Sequence, residues 1–255
     1  QFFLLVKKTK VVKKMSAKNT IQFYYDVVSP WSRLAFAVLK RYSEAFPDDI
    51  ELKMKPIFLG GIMKLANNSP PAYVPLKGKY MMKDLIESGK FFDVPISIPS
   101  VFPAMTIKAQ RVLVALEAQN NGSIGQVDPV VELSEALWKA YWSNDKDISQ
   151  DDILLEVISD TFPDADAKAL LSKTAESDVK QRLMDSTQEA FESGMFGAPW
   201  MLVSPKNEPN MVHKFFGSDR FHLVFPKIGL PWLGPTLKEY KDLTTVNNQQ
   251  QQSKL

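Results

Sequence analysis

Hydrophobic positions alternate from Thr20 to Val28, with Ile21, Phe23, Tyr25 and Val27 on one side. A period of two predicts a β-strand. The period changes directly after "SPW". Leu34, Ala35, Val38, Leu39 and Tyr42 share one face of a helix. Pro30 suits the first helical position, where its missing N–H would have no partner, and Ser29 then falls at the N-cap. Alternation returns at Ile50, Leu52 and Met54 and stops at Pro56. Together these segments predict a βαβ unit with a right-handed crossover.

The middle of the chain reads differently. "NNSPPAYVPLKGKY" and "PISIPSVFP" are proline-rich connections, and helical patterns follow with few strand signals. Ile107, Val112, Leu113 and Leu116 form one stripe, which ends on an Asn-Gly stop. Leu133, Leu137, Trp138 and Tyr141 form a second. "SQDDILLEVISDTF" opens with Ser149 as N-cap and Asp152 three residues on. Further helices fit 164–174 and 177–191. Strand signals return at "APWMLVSP" and "NMVHKFFGSDR", joined by the turn-rich "PKNEPN". A last helix follows, capped by Ser218 or Asp219. No repeat, P-loop or GxGxxG is present.

Composition narrows the chemistry. The chain has 255 residues, 45% hydrophobic and 24% charged, as expected of a globular protein with a sizeable core. Its net charge of +2 does not fit a nucleic-acid binder, and no apolar run reaches the length of a membrane span. Cysteine is absent. Disulfides, thiolate metal sites and cysteine nucleophiles are thereby excluded, so any thiol chemistry must use a sulfur brought by another molecule. His213 and His222 are the two imidazoles; one sits in a strand pattern and one in the last helix, and no metal site is expected.

The ends carry separate signals. Residues 1–15 read as an N-terminal extension, disordered or artefactual, with the natural start expected at Met15-Ser16. The polar tail 242–255 cannot bury enough surface to order itself. It finishes in Ser253, Lys254 and Leu255, the tripeptide read by the peroxisomal import receptor. Peroxisomal import is therefore expected, with mitochondria or cytosol as runner-up.

A βαβ unit, a helical block and a ββα unit in that order resemble the thioredoxin layout interrupted by an all-α insert. The fold class is α/β, with 16–65 plus 193–241 as the thioredoxin-like part and 66–192 as the insert. In that layout the active group sits at the N-terminus of the first helix, and a cis-proline is expected at Pro199. A helix N-terminus favours an anion by ~0.3–1 kcal/mol. A thioredoxin stabilises its own thiolate there. This chain has Ser29, so it is not a disulfide oxidoreductase, but a visiting thiol could be held at the same point. Ser29 as a plain N-cap is the competing reading.

"FYYDVVSPWSRLAF", "GGIMKLANNSPPAYVPLKGKYMMKDL", "GMFGAPWMLV", "FFGSDR" and "LPWLGP" fall in order across residues 20–235 and resemble the kappa-class glutathione transferases. The resemblance implies a homodimer that uses glutathione as co-substrate with no tightly bound cofactor. Its partners would be glutathione and a small electrophile. It implies that Ser29 holds the glutathione sulfur as thiolate, flanked by Pro30 and Trp31. Asn68 and Lys77, both in the proline-rich loop, would meet the glycine end. The Ala198 backbone before Pro199 would pair with the cysteinyl backbone, and Ser218 and Asp219 would bind the γ-glutamyl group. The family pattern usually reads Ser-Pro-Tyr-Ser-Trp, so Trp31 and Arg33 are departures expected to narrow or recharge the electrophile side. Ala198 replaces a larger aliphatic residue.

Three functions compete. One is a transferase adding glutathione thiolate to electrophiles, with reduction of hydroperoxides as a further activity. The second is a glutathione-dependent isomerase of the 2-hydroxychromene-2-carboxylate type. The third is a non-catalytic thioredoxin-like binding module.

Overall fold

The strand pattern at the start of the chain becomes β1 (Asn19–Tyr25), whose two sides are both covered. Ile21, Phe23 and Tyr25 enter the larger buried cluster, while Tyr24 enters a smaller one with Ile57, Ile62, Ala190 and Trp200. The computed structural model describes residues 17–119 and 128–237. After β1 come α1 (Pro30–Ala45), β2 (Ile50–Pro56), α2 (Leu59–Leu65), α3 (Pro75–Phe92), α4 (Ile107–Gln119) and α5 (Pro129–Trp142). Then follow α6 (Asp151–Thr161), α7 (Ala167–Ser172), α8 (Ser177–Glu192), β3 (Trp200–Ser204), β4 (His213–Phe216) and α9 (Phe221–Lys227). The sheet order is β2-β1-β3-β4. β1 runs parallel to β2 with Ile21 beside Leu52, and antiparallel to β3 with Phe23 beside Met201.

The Ile21–Phe23–Tyr25 side belongs to the same buried cluster as α1 and α9. Tyr42 of α1 stacks on Phe225 with ring centroids 3.8 Å apart, and Trp232 lies parallel to both. The "LPWLGP" segment is tied to the same ring, for Leu233 N–H donates to the Tyr42 hydroxyl at 2.7 Å. On the other side Tyr24 donates to Glu189 of α8 at 2.7 Å. The helical layer is knit to the strand ends by buried polar groups. Gln110 donates to the carbonyls of Tyr25 (2.9 Å) and Ile57 (2.7 Å), and the Trp142 indole donates to the Val27 carbonyl at 3.2 Å. Such bonds satisfy backbone groups that would otherwise be buried unpaired.

Several local expectations are corrected. β1 stops at Tyr25 rather than Val28, because the Asp26 carboxylate takes the Val28 N–H at 3.0 Å and turns the chain. Lys77 is not in a loop but in the first turn of α3, which starts with Pro75 at its first position. Gly78 masked that helix in the sequence. A Cβ there would sit 3.2 Å from the Ala72 Cα, so the glycine lets the short 3-10 turn Pro71–Tyr73 pack against α3. α6 is not capped by Ser149. Gln150 holds the cap position without a side-chain bond, and Asp147 takes the Ser149 N–H instead. The helix expected over 164–174 is shorter, with Asp166 capping α7 through the Ala169 N–H at 2.9 Å. α2 was not anticipated, its run of seven being too short to show a period. Residues 1–15 lie outside the described residues, as do Ser253, Lys254 and Leu255.

Candidate active site

Ser29 occupies the N-cap of α1 in an extended conformation, and it is 4% exposed. Its Oγ accepts from the Ser32 N–H at 3.1 Å and donates to the Ala198 carbonyl at 3.4 Å. Pro30 is the first helical residue. α1 has sixteen residues and no acid in its first turn, so its partial positive N-terminal charge is not offset locally. The hydroxyl is thus set between a helix N-terminus and the chain before Pro199. Ser32 Oγ is also buried and has no partner among the described residues.

Sequence reasoning passed over Asp26, three residues before Ser29. Its carboxyl is fully buried and receives the Val28 N–H (3.0 Å), the Thr106 hydroxyl (2.7 Å) and the Leu59 N–H (2.9 Å). Its carbonyl accepts the Ser29 N–H at 3.0 Å. Burial raises its pKa to about 6, against the pull of the three donors. All three contacts give hydrogens to it, which matches a carboxylate rather than a carboxylic acid. One acid inside the apolar run "YYDVV" was the available signal.

The segment 196–199 gathers the other expected residues. The Ala198–Pro199 peptide is cis, as expected for Pro199. Among the described residues no protein group accepts from the Ala198 N–H, which leaves it free to pair with an extended ligand. Asn68 donates through Nδ2 to the Phe196 carbonyl at 2.8 Å. Gly217 N–H donates to the Pro199 carbonyl at 3.1 Å, bringing the Ser218-Asp219 turn alongside. Ser218 is 5% exposed, while Asp219 is exposed and bonded to Arg220 at 2.6 Å. Neither caps the last helix. α9 begins at Phe221 with Arg220 in the cap position and no side-chain cap bond, which corrects the expectation.

Trp31 and Lys77 meet elsewhere, in the wall of a cavity of about 400 Å³ completed by Pro71, Leu76, Tyr80, Met81 and Asp84. Arg33 does not reach that side. It is 7% exposed and donates to the Trp138 carbonyl (3.2 Å) and the Ser143 hydroxyl (2.7 Å), so it cannot recharge the electrophile side as expected. Helical geometry explains this, since positions 31 and 33 lie on different faces. His213 lies in β4 and His222 in α9. Among the described residues no group of acids or imidazoles could hold a metal ion, and no helix is long and apolar enough to cross a membrane. The arrangement can stabilise an anion at Ser29, but the chain supplies no thiol of its own.

A model of the DSBA-like thioredoxin domain matches residues 20–228. Over 225 residues the chain is 35% identical to glutathione S-transferase kappa 1 of Rattus norvegicus, covering 86% of this chain and 95% of that protein. It is 28% identical to the 2-hydroxychromene-2-carboxylate isomerase of Sphingobium xenophagum, covering 81% and 96%. Among solved structures, a 2-hydroxychromene-2-carboxylate isomerase superposes with a TM-score of 0.66 at 17% identity, covering 82% and 94%, which speaks for the fold.

Proposed function

Since the chain belongs to the kappa-class glutathione transferases, within the DSBA-like thioredoxin family, we propose that Ser29 keeps the sulfur of bound glutathione deprotonated for attack on a small electrophile. The protein is a glutathione transferase; what is proposed is how its residues divide the work. One observation carries the reading. In a chain without cysteine, the buried Ser29 hydroxyl caps α1 beside the cis Ala198–Pro199 peptide, at the place where an anion is favoured.

Lowering a thiol pKa by one unit takes ~1.4 kcal/mol, and a charge-assisted hydrogen bond supplies ~1.5–3 kcal/mol. The hydroxyl can give its hydrogen to the sulfur in place of the long 3.4 Å bond to Ala198. The free Ala198 N–H donates to the cysteinyl carbonyl, and Asn68 and Lys77 serve the glycine end. Ser218 and Asp219 take the γ-glutamyl group, with Asp219 opposite its ammonium. The cavity that Lys77 shares with Trp31 and Tyr80 receives the glycine carboxylate at Lys77 and the electrophile beside Trp31. Proximity then does the rest, since both reactants are held before the bond forms. Reduction of hydroperoxides by the same thiolate and assembly as a homodimer belong to this proposal.

Isomerisation is a second reading, favoured by the Sphingobium likeness over nearly the whole of that enzyme. There the thiolate adds to an unsaturated substrate and leaves again after rotation. Titrating glutathione into the protein while following the ultraviolet thiolate band against pH tests the main proposal. A thiolate band at pH 6–7 that vanishes in Ser29→Ala supports it; a band that persists unchanged in the variant overturns it. Supplying the chromene and scoring isomer against conjugate separates the two activities.

A further inference from the structure

Arg33 has no task in the site above, and its surroundings are unusual. The guanidinium is buried on α1, yet its two bonds go to neutral acceptors, the Trp138 carbonyl and the Ser143 hydroxyl. Buried charges are ordinarily paired with an opposite charge. No carboxylate pairs with this one among the described residues. Desolvation lowers its pKa to about 10, opposed by Glu135 at a distance.

Arg33 forms part of the wall of a cavity of about 450 Å³ between α1, α5 and the segment 93–95. Phe36, Val94, Pro95 and Trp138 give that cavity apolar walls, and Arg41 and Lys139 add two further cations. Of its two acids, Glu135 is engaged by Lys40 at 2.7 Å, and Asp93 is an exposed residue at the end of α3 with no ion pair among the described residues. Arg41 is spent on carbonyls of Phe92, Asp93 and Pro235. Lys139 has no ion pair among the described residues. The cavity therefore offers a guanidinium with unused donors, a free ammonium and an apolar body. We propose that it is a second ligand site, for a small monocarboxylate with an apolar or aromatic body, whose carboxylate is received by Arg33 and Lys139.

A planar guanidinium pairs bidentately with a carboxylate, which distinguishes this ligand from a neutral isostere.

Benzoate and benzamide, matched in shape and differing in charge, are the probes. Thermal unfolding of the full chain is followed with each, with and without glutathione. Benzoate is expected to raise the melting temperature by several degrees at millimolar concentration, with benzamide inert. Arg33→Met, which keeps the apolar stem, is expected to abolish the benzoate shift and to retain the glutathione shift. Lys139→Ala, an exposed change, should weaken the benzoate response several-fold without altering the fold. Equal responses to benzoate and benzamide would overturn the proposal. So would a benzoate shift that survives Arg33→Met or is competed away by glutathione, since the carboxylate would then lie in the glutathione site. Loss of folding in Arg33→Met leaves Lys139→Ala to decide: an unchanged benzoate response there also overturns it.

Discussion

Two helices start on either side of Pro199, and each follows a serine. α1 opens on Ser29, whose hydroxyl accepts from the Ser32 N–H, and runs for sixteen residues with a buried stripe beneath it. α9 opens on Arg220, has no side-chain cap and runs for seven. Ser29 touches the segment 196–199 from one side through Ala198, and Gly217 holds it from the other through Pro199. The difference shows which start can do electrostatic work. A long, capped, buried helix holds its N-terminal field in a low-dielectric place. A short one without a side-chain cap leaves recognition to the side chains of the turn before it. On the proposed reading the sulfur lies at the first, and the polar end of the ligand at the second.

The largest effect should come from Asp26, which fixes the α1 start from below. In Asp26→Ala three buried donors lose their acceptor, each worth ~1–3 kcal/mol when left unmade. Combined loss should be about 3–5 kcal/mol in urea unfolding at pH 7, and a loss below about 1 kcal/mol would break the comparison. Its pH dependence has a definite sign. Burial raises the carboxyl from 3.8 to about 6, so the folded chain binds the proton more tightly than the unfolded one. The stability it contributes is complete below the unfolded pKa and is lost as pH rises through about 6, by at most ~3 kcal/mol. Asp26→Asn should flatten that part of the stability curve.

Next in size is Ser29→Ala. Removal of one charge-assisted bond of ~1.5–3 kcal/mol predicts a fall of roughly 10–150-fold in kcat/KM for conjugation near pH 6.5. The lost cap should cost a further ~1 kcal/mol of stability. Ser218→Ala, at an uncapped helix, should cost no cap energy at all.

Gly217→Ala probes the other side. Gly217 has φ +97°, where an L side chain is strained, and an added Cβ would lie 2.7 Å from Asp219 Oδ1. About 1–2 kcal/mol of destabilisation is expected, with Asp219 pushed from its place and the KM for glutathione raised. A neutral result would mean that the turn is not fixed by its glycine.

The same contrast governs what could be read from the sequence. The α1 start was legible because strand period, Ser-Pro cap and helix period all agree between Thr20 and Tyr42. The cis peptide at Pro199 followed from the thioredoxin layout. Ser218-Asp219 looks identical to a cap pair in one dimension, and only the bonds show that the turn ends a residue too early. Lys77 was hidden by Gly78, whose use is a tertiary approach to Ala72. Arg33 was assigned to the electrophile side, together with Trp31, as a departure from the family pattern, although two residues along a helix turn a side chain by more than a right angle. Asp26 carries no motif; its meaning lies in Thr106 and Leu59, 80 and 33 residues away.

Asp219→Asn should give the smallest effect and the sharpest one. The Asp219 carboxylate is exposed and its pair with Arg220 is a surface contact, so stability should move by no more than about 0.5 kcal/mol. An exposed charge opposite the γ-glutamyl ammonium is worth up to ~1 kcal/mol, which predicts a rise of roughly 3–5-fold in the KM for glutathione with kcat unchanged. The dipeptide cysteinylglycine lacks the γ-glutamyl group and still carries the thiol. Its conjugation should be unaffected by Asp219→Asn and severely slowed by Ser29→Ala. If Asp219→Asn lowers kcat for both thiols alike, the turn before α9 acts on the sulfur, and the division between the two helix starts fails.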